Sequence, residues 1–261
     1  MYFAGASSPS NVGAPAGSSL ARGGVSARPH WGPESRVALY YAPSENDDLW
    51  TRGVAWLGRD AVTGAEVVQP DIPGLAAITA DAGAYGFHAT LKSPMRLRKG
   101  VGWQEFRDAV GELAGGLAAF ELPRLEVVDL AGFLALHEAV PCPPLQAFCD
   151  ACVAWVDHFR AAPNEAELAY RRRGGLTEVE DANLLRWGYQ YVFSTWFFHM
   201  TLTRRLTVAE QAVYRAAAEA WFAPSLAGPR RVDHIAMFAQ AEPGKPFLLV
   251  ERVPFATARR Q

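Results

Sequence analysis

Residues 86–92 read Gly-Phe-His-Ala-Thr-Leu-Lys, and residues 197–203 read Phe-Phe-His-Met-Thr-Leu-Thr. Both stretches contain His-x-Thr-Leu with a phenylalanine directly before the histidine, and the two histidines are 111 residues apart. Alternating apolar and polar residues predict a β-strand for each stretch, in which residues two apart point to the same side. Two such strands placed side by side would present two imidazoles and two hydroxyls to one cleft. These polar residues are His88, Thr90, His199 and Thr201.

The composition around these stretches is that of an ordinary globular protein. The chain has 261 residues, of which half are hydrophobic and a fifth are charged, so it is long enough to bury a core. Its net charge of −2 argues against binding of duplex nucleic acid through a positive surface field, although a small anionic ligand can still be held by local charge. No apolar run approaches the roughly 18 residues of a membrane-spanning helix. We therefore expect no membrane partner.

The three cysteines predict free thiols. Cys149 and Cys152 form a C-x-x-C pair on a segment with a helical pattern, where positions three apart share a face. There is no second C-x-x-C to complete a zinc site. Together with the absence of an apolar leader at the N-terminus, this favours a protein of the reducing cytoplasm.

The order of predicted elements divides the chain into five parts. Residues 1–35 are rich in Gly, Ala, Ser and Pro and are interpreted as a disordered tail. Residues 36–140 follow a β-α-β-α-β-β order around the first His-x-Thr stretch, which is typical of an α+β lobe. Residues 141–190 form a helical insert, residues 191–254 repeat the lobe order around the second stretch, and residues 255–261 are a frayed tail.

The paired histidines suit displacement at a phosphodiester. One imidazole can take a proton from water or a ribose hydroxyl while the other gives a proton to the leaving oxygen, and free imidazole titrates near pH ~6.5. The two threonines can donate hydrogen bonds to the non-bridging phosphate oxygens. A metal hydrolase is disfavoured because neither motif contains a carboxylate. The other histidines lack a threonine two residues on and are interpreted as structural or incidental; they are His30, His137, His158 and His234.

The two motifs, the duplicated element order and the insert resemble the two-histidine (2H) phosphoesterase superfamily, which includes RNA 2′,5′ ligase-like and cyclic phosphodiesterase-like proteins. Four stretches look like its bacterial subgroup associated with phosphonate-utilisation operons. They are residues 87–92, residues 172–177 (Arg-Arg-Gly-Gly-Leu-Thr), residues 187–189 (Trp-Gly-Tyr) and residues 198–202. The resemblance extends over about residues 36–253.

The resemblance implies an α+β fold with two pseudo-symmetric lobes of antiparallel sheet and helices that face each other across a central cleft. It implies metal-independent cleavage of a cyclic or linear phosphodiester, with no cofactor. By the same resemblance, the catalytic positions are His88, Thr90, His199 and Thr201.

Five further residues are candidates for substrate binding. Strict alternation places Lys92 on the same strand face as His88, where it would add positive charge. Tyr40 and Tyr41 alternate on the first strand, so one of them faces the cleft, and Tyr41 is the candidate. A run of three arginines precedes a glycine turn and a helix start, a setting that suits phosphate oxygens. We expect at most two of them in the site, with Arg172 and Arg173 as candidates. Tyr189 completes the set.

The function expected from the sequence is hydrolysis of a small cyclic phosphate, for which a ribose 1,2-cyclic phosphate is the candidate. Two alternatives stay open: a nucleoside 2′,3′-cyclic phosphodiesterase that processes RNA ends, and a non-catalytic module that binds a nucleotide or phosphate. The partner in each case is a small phosphorylated molecule. The sequence leaves open which histidine is the acid, the exact substrate and the oligomeric state.

Overall fold

The computed structural model describes residues 32–256. Within them lie nine strands and seven α-helices, so the predicted α+β class is confirmed. In chain order they are β1 (Arg36–Tyr41), α1 (Asp48–Leu57), α2 (Leu75–Tyr85), β2 (Ala89–Arg96), α3 (Trp103–Gly115), β3 (Phe120–Leu122), β4 (Leu125–Leu130), β5 (Phe133–Glu138), α4 (Pro143–Val156), α5 (Glu165–Arg172), α6 (Glu178–Trp187), β6 (Met200–Arg205), α7 (Val208–Leu226), β7 (Arg230–Val232), β8 (His234–Gln240) and β9 (Leu248–Pro254).

The two predicted tails lie partly outside the described residues. Residues 1–31 and 257–261 are not described. Residues 35 and 255, at the predicted boundaries of the two tails, both contact the folded part of the chain. The Ser35 hydroxyl donates to the Ala241 carbonyl at 2.6 Å, and Phe255 is buried with its backbone N–H bonded to the Asp233 carbonyl at 2.8 Å.

Seven strands form one antiparallel sheet in the order β4-β5-β6-β2-β1-β8-β9, and β3 and β7 form a separate two-stranded sheet. The two strands that carry the His-x-Thr stretches, β2 and β6, are neighbours in the middle of the larger sheet. Helix α4 lies next to β2, and α2 lies next to β6. The apolar residues of the two motifs are buried, among them Phe87, Ala89, Phe198 and Met200.

The strands of the two sequence halves are interleaved. The hairpin β4–β5 belongs to the first half but pairs with β6 of the second half. The hairpin β8–β9 belongs to the second half but pairs with β1 of the first half. The predicted division into lobes 36–140 and 191–254 follows the chain, whereas the sheet groups strands from both stretches, because α3 and α7 carry each hairpin away from the motif strand that precedes it.

The predicted helical insert, residues 141–190, contains α4, α5 and α6. Helix α4 packs against β2 through a buried apolar face, and the Sγ atom of Cys149 lies 3.4 Å from the Leu91 carbonyl. All three cysteines are free thiols, as predicted. Thr177 and Glu180 form a capping box at the start of α6: the Glu180 N–H donates to the Thr177 hydroxyl at 3.3 Å, and the Thr177 N–H donates to the Glu180 carboxylate at 2.8 Å.

Candidate active site

The register between β2 and β6 brings the two motifs together. Ala89 of β2 is paired with Met200 of β6 in an antiparallel ladder. Continuing this register sets His88 opposite Thr201 and Thr90 opposite His199. All four side chains then project from the face opposite to Ala89 and Met200, both of which are fully buried.

The same register also sets the distance between the backbone positions of the two histidines. His88 and His199 are diagonal neighbours, and the Cα atoms of such neighbours lie about 7–8 Å apart in an antiparallel pair. Each histidine directly precedes its strand rather than lying within it, since the strands predicted for residues 86–92 and 197–203 begin only at Ala89 and Met200.

Matching hydrogen bonds fix both rings. The Nδ1 atom of His88 lies 2.9 Å from the Gly86 carbonyl, and that of His199 lies 3.2 Å from the Phe197 carbonyl, which is also two residues earlier. An Nδ1–H that donates to a carbonyl leaves Nε2 as the ring atom for proton transfer. The Nε2 atom of His88 is 3.3 Å from the Thr90 hydroxyl. Gly86 has φ +85°, and a Cβ there would approach the Ala61 methyl group to 2.8 Å, so glycine is required to present this carbonyl.

Burial shifts both imidazoles toward the neutral form. Burial lowers the pKa of His88 to about 4; the Gly86 carbonyl acts in the opposite direction, and the charge of His199 lowers the value further. Burial also lowers the pKa of His199 from its ordinary value, opposed by the Phe197 carbonyl. Near neutral pH the free site therefore holds two neutral imidazoles, each able to accept a proton.

A cavity of about 520 Å³ opens on the β1 side of His88. His88 and Thr90 form one end, and residues of β1, α5 and the turn after α6 form the walls. The charged and aromatic side chains that line it are Arg36, Tyr40, Tyr85, Arg96, Arg160, Glu167, Tyr170, Arg171 and Tyr189. A second cavity of about 380 Å³ adjoins the other side of His88 and includes Phe133 and Thr201. Both cavities are lined by His88 and Tyr85.

Tyr40, not Tyr41, is the tyrosine of β1 that faces the cleft. Tyr40 is paired with Thr90 and stacks on the His88 ring with centroids 3.7 Å apart. Tyr41 is paired with Ala89, is buried on the opposite face and contacts the Phe198 ring. The prediction of Tyr41 as a binding residue is wrong because the register decides which side of the alternation faces the cleft.

Lys92 is also not in the cleft. The pairing runs from Tyr40–Thr90 to Leu39–Lys92, so β2 carries an extra residue at this point and the side chain of Lys92 is turned to the other face. Its ammonium is buried and lies 2.7 Å from the Asp157 carboxylate. Arg160 and Arg186 also bind Asp157, at 2.8 and 3.1 Å. Lys92, which was predicted to bind the substrate, therefore joins β2 to the helical insert through Asp157.

Among the three consecutive arginines, the structure brings Arg171 to the cavity and leaves the other two outside. Arg171 is half-buried, and its guanidinium lies 4.9 Å from the centre of the Tyr189 ring. Arg172 is exposed and paired with Asp181 at 2.6 Å, and Arg173 is exposed over the Tyr170 ring. The predictions of Arg172 and Arg173 are wrong because α5 turns only the residue before them inward. Tyr189 does line the cavity, and burial raises its pKa to about 12.

The sequence interpretation missed Arg36. It lies four residues before Tyr40 on β1 and lines the same cavity. Strand alternation gave a usable signal, because residues four apart point to the same side once Tyr40 is known to face the cleft.

Two of the histidines interpreted as structural have partners that fit that role. His234 is buried, with its ring nitrogens 2.8 Å from the Asp233 carboxylate and 2.9 Å from the Ala42 carbonyl. The Nδ1 atom of His137 is bonded to the Glu138 carbonyl at 2.8 Å. The pairing of Ala135 with Thr201 turns His137 toward the cleft side, where its charge lowers the pKa of His199.

Within residues 32–256, no group of three or more His, Cys, Asp or Glu side chains is arranged to hold a metal ion. In the same part of the chain, no helix has the length and apolar character needed to cross a membrane.

The chain belongs to the family described as "Protein of unknown function (DUF1045)", whose model matches residues 90–248. Two curated relatives are both named ribose 1,5-bisphosphate phosphokinase PhnN. The protein of Janthinobacterium sp. (strain Marseille) is 38% identical over 231 residues, which cover 85% of this chain and 51% of the relative. That of Laribacter hongkongensis (strain HLHK9) is 35% identical over 222 residues, covering 84% of this chain and 51% of the relative. The chain thus spans about half the length of these relatives.

Two solved structures of similar shape are a phosphoesterase and E. coli LigT in complex with NADP+. The phosphoesterase is 12% identical with a TM-score of 0.41 and covers 85% of this chain and 99% of its own. LigT is 12% identical with a TM-score of 0.42 and covers 87% of this chain and 100% of its own. The first of these structures is named as a phosphoesterase, the class of protein that the sequence resembles.

Proposed function

We propose that the protein is a phosphodiesterase that hydrolyses a small cyclic phosphate by general acid–base catalysis between His88 and His199, without a metal ion. The observation that supports this most directly is the pairing of Ala89 with Met200, which sets both imidazoles and both threonine hydroxyls on one face. The arginines that line the adjoining cavity carry the positive charge that an anionic substrate needs.

The proposed reaction uses one neutral and one protonated imidazole. The Nε2 atom of the neutral ring accepts a proton from water as the water oxygen bonds to phosphorus. The bond from phosphorus to one ring oxygen breaks, and the protonated imidazole gives that oxygen its proton. Thr90 and Thr201 donate hydrogen bonds to the non-bridging oxygens, on which negative charge increases. One water is consumed, and the product is a phosphate monoester. The orientation of the substrate decides which histidine is the acid.

The proposed substrate is a ribose 1,2-cyclic phosphate formed in phosphonate breakdown. Opening its ring with loss of the bond to O2 leaves a phosphate on C1 of ribose. The relatives from Janthinobacterium and Laribacter are named for ribose 1,5-bisphosphate, which also carries a phosphate on C1. The proposed product is therefore of the same chemical type as the molecule in the relatives' name.

The phosphokinase activity in that name is not proposed for this chain. Its 261 residues contain no G-x-x-x-x-G-K-[S/T] motif, the glycine-rich loop with which many phosphotransferases hold nucleotide phosphates. Since the chain spans about half of each relative, the kinase name belongs to proteins with a second half of similar length.

A nucleoside 2′,3′-cyclic phosphate is the second candidate substrate. The cavity beside His88 has four tyrosines in its walls, Tyr40, Tyr85, Tyr170 and Tyr189, and such rings can stack on a nucleobase. Hydrolysis of ribose 1,2-cyclic phosphate and of the four nucleoside 2′,3′-cyclic phosphates, measured side by side with EDTA present, separates the two candidates. Loss of all activity with EDTA and its return with added metal would contradict the proposed metal-free reaction.

The variant His88→Ala tests catalysis against binding. We expect kcat to fall by about 10²–10⁴-fold, the usual contribution of a general acid or base, while the Kd of the product changes little. His234→Ala is not a suitable control because that ring is buried. His158→Ala removes a histidine outside the cavity and should leave kcat unchanged. A protein that binds the cyclic phosphate, with affinity lost in His88→Ala and no turnover in either form, would be a binding module instead.

A further inference from the structure

The cavity beside His88 carries an excess of positive charge. Four arginines line it, Arg36, Arg96, Arg160 and Arg171, against a single carboxylate from Glu167. Two of the four are already paired: Arg96 lies 3.0 Å from Glu167, and Arg160 lies 2.8 Å from Asp157. The cavity therefore contains more guanidinium charge than its own carboxylates balance.

The other two arginines have no carboxylate partner among the described residues. The Nε atom of Arg36 donates to the amide oxygen of Gln240 at 2.7 Å, and its guanidinium lies over the Phe247 ring. Arg171 lies over the Tyr189 ring. Contacts with an amide and with aromatic faces hold both side chains in place without neutralising them.

The hydroxyl of Tyr40 is a third donor that lacks a partner. Tyr40 lines the cavity and is 0% exposed, and its hydroxyl oxygen makes no hydrogen bond within residues 32–256. A buried hydroxyl without a partner is costly, so such groups normally meet a ligand or water. Burial raises the pKa of Tyr40, with Tyr85 adding to the rise, and the charges of Arg36 and Arg171 act in the opposite direction. Both guanidiniums thus lie within electrostatic range of this hydroxyl.

These donors lie to one side of the catalytic pair. Arg36 and Tyr40 share a face of β1 and are four residues apart, which corresponds to about 13 Å along the strand. The Tyr40 ring stacks on His88, and Arg36 is level with Arg96 at the far end of the cavity. An anion held there would lie beyond the phosphate that the histidines act on.

We propose that Arg36, Arg171 and the Tyr40 hydroxyl form a second anion site, so that the substrate carries a phosphate monoester in addition to its cyclic phosphate. Two guanidiniums and a hydroxyl match a phosphate monoester, which bears close to two negative charges and three acceptor oxygens. The substrate class is a sugar or nucleotide with the two phosphates on one ribose. This inference rests on the proposed function and specifies its substrate.

Matched substrates test the second site. Ribose 1,2-cyclic phosphate is compared with its 5-phosphate, and adenosine 2′,3′-cyclic phosphate with its 5′-phosphate. We expect the wild-type kcat/KM to be at least about tenfold higher for the phosphorylated member of the preferred pair. Arg171→Gln should reduce this ratio by about tenfold or more, to a value near one, because it removes a charge-assisted hydrogen bond to the second phosphate. Arg36→Gln and Tyr40→Phe should reduce it in the same direction.

Arg173→Gln is the matched control, because Arg173 is exposed two residues from Arg171 and lies outside the cavity. It should leave the ratio unchanged. Circular dichroism and thermal melting of each variant show that the fold is kept. A wild-type ratio near one in both pairs, or an equal fall in the ratio for Arg173→Gln, would overturn the second anion site.

A separate measurement distinguishes failure of the second site from failure of the proposed function. If no cyclic phosphate is hydrolysed, the proposed function fails, and titration calorimetry with ribose 5-phosphate and ribose still tests the site. Tighter binding of ribose 5-phosphate, weakened at least about tenfold by Arg171→Gln and not by Arg173→Gln, supports it. Equal binding of the two sugars, or no binding of either at millimolar concentration, overturns it.

Discussion

His88 and His199 share the same backbone hydrogen bond but differ in their ring neighbours. Each Nδ1 is bonded to the carbonyl two residues earlier, which leaves Nε2 for the substrate. The His88 ring stacks on Tyr40, whereas the His199 ring stacks on Phe197. Both rings have low pKa values because both are largely enclosed by such apolar faces.

The pH dependence of catalysis follows from these shifts. The reaction needs one protonated and one neutral imidazole, and the two titrate as a coupled pair. Because burial lowers both pKa values, with that of His88 at about 4, the singly protonated pair is most abundant in the free enzyme below pH 6.5. We expect kcat/KM to peak below pH 6.5 and to fall as the pH rises, since the protonated fraction decreases. A profile measured from pH 4 to 9 that stays level between pH 6.5 and 8 would contradict this.

At the scale of single elements, the extra residue in β2 decides what the strand presents. Thr90 faces the cleft, and two residues later Lys92 points into the protein, where strict alternation would have returned it to the cleft. The bulge therefore separates the end of β2 that faces the cleft from the end that is bound to the insert through Asp157. Burial alone would raise the pKa of Asp157, but hydrogen bonds from Arg160 and Lys92 keep it below its ordinary value.

Helix α1 supports the first histidine through a close approach at Gly53. A Cβ at Gly53 would lie 2.2 Å from the ring of Phe87, the residue before His88. We expect Gly53→Ala to lower the free energy of unfolding by about 1–3 kcal/mol, the usual cost of overpacking, and to lower kcat because a displaced Phe87 moves His88. Urea denaturation and steady-state kinetics measure the two effects.

Gly111 provides the opposite case for comparison. It also lies inside a helix, α3, but a Cβ there would have no neighbour within 4 Å. Gly111→Ala should therefore raise the free energy of unfolding by about 0.5–1 kcal/mol, because alanine loses less backbone entropy on folding, and should leave kcat unchanged. Equal effects of the two substitutions would show that Phe87 is not held by α1.

At the scale of the whole molecule, the exchange of hairpins makes each half of the chain depend on the other. Strands β1 and β2 need β8 and β6 as partners, and β5 needs β6. Since β3 also pairs with β7, residues 32–140 alone would expose four strand edges that the intact protein pairs. The two motif halves are therefore one folding unit in this topology rather than two separable lobes.

Fragments of the chain test this dependence. We expect residues 32–140 and residues 141–256, expressed separately, to lack cooperative thermal unfolding, and their mixture to regain it, because each fragment supplies the missing partner strands of the other. The control is a chain of residues 32–256 cleaved after residue 140 in the folded state, which should keep its fold. A cooperative transition of residues 32–140 alone would show that the first lobe is independent.

The sequence by itself determined the local features of this protein. Alternation predicted the two motif strands, the glycine turn after the three arginines predicted the start of α6, and the repeated His-x-Thr predicted four residues on one face of the sheet. These features follow from interactions between residues close in the chain, which a single sequence displays directly.

The tertiary structure decided which of two neighbouring residues lines the cleft. Tyr40 lines it rather than Tyr41, and Arg171 rather than Arg172, while Lys92 lies outside it. The tertiary structure also exchanged the hairpins between the halves. The physical reason is that strand register, a single bulge and the docking of hairpins depend on contacts between residues far apart in the chain. A shift of one residue in such a contact turns a side chain from the cleft to the core.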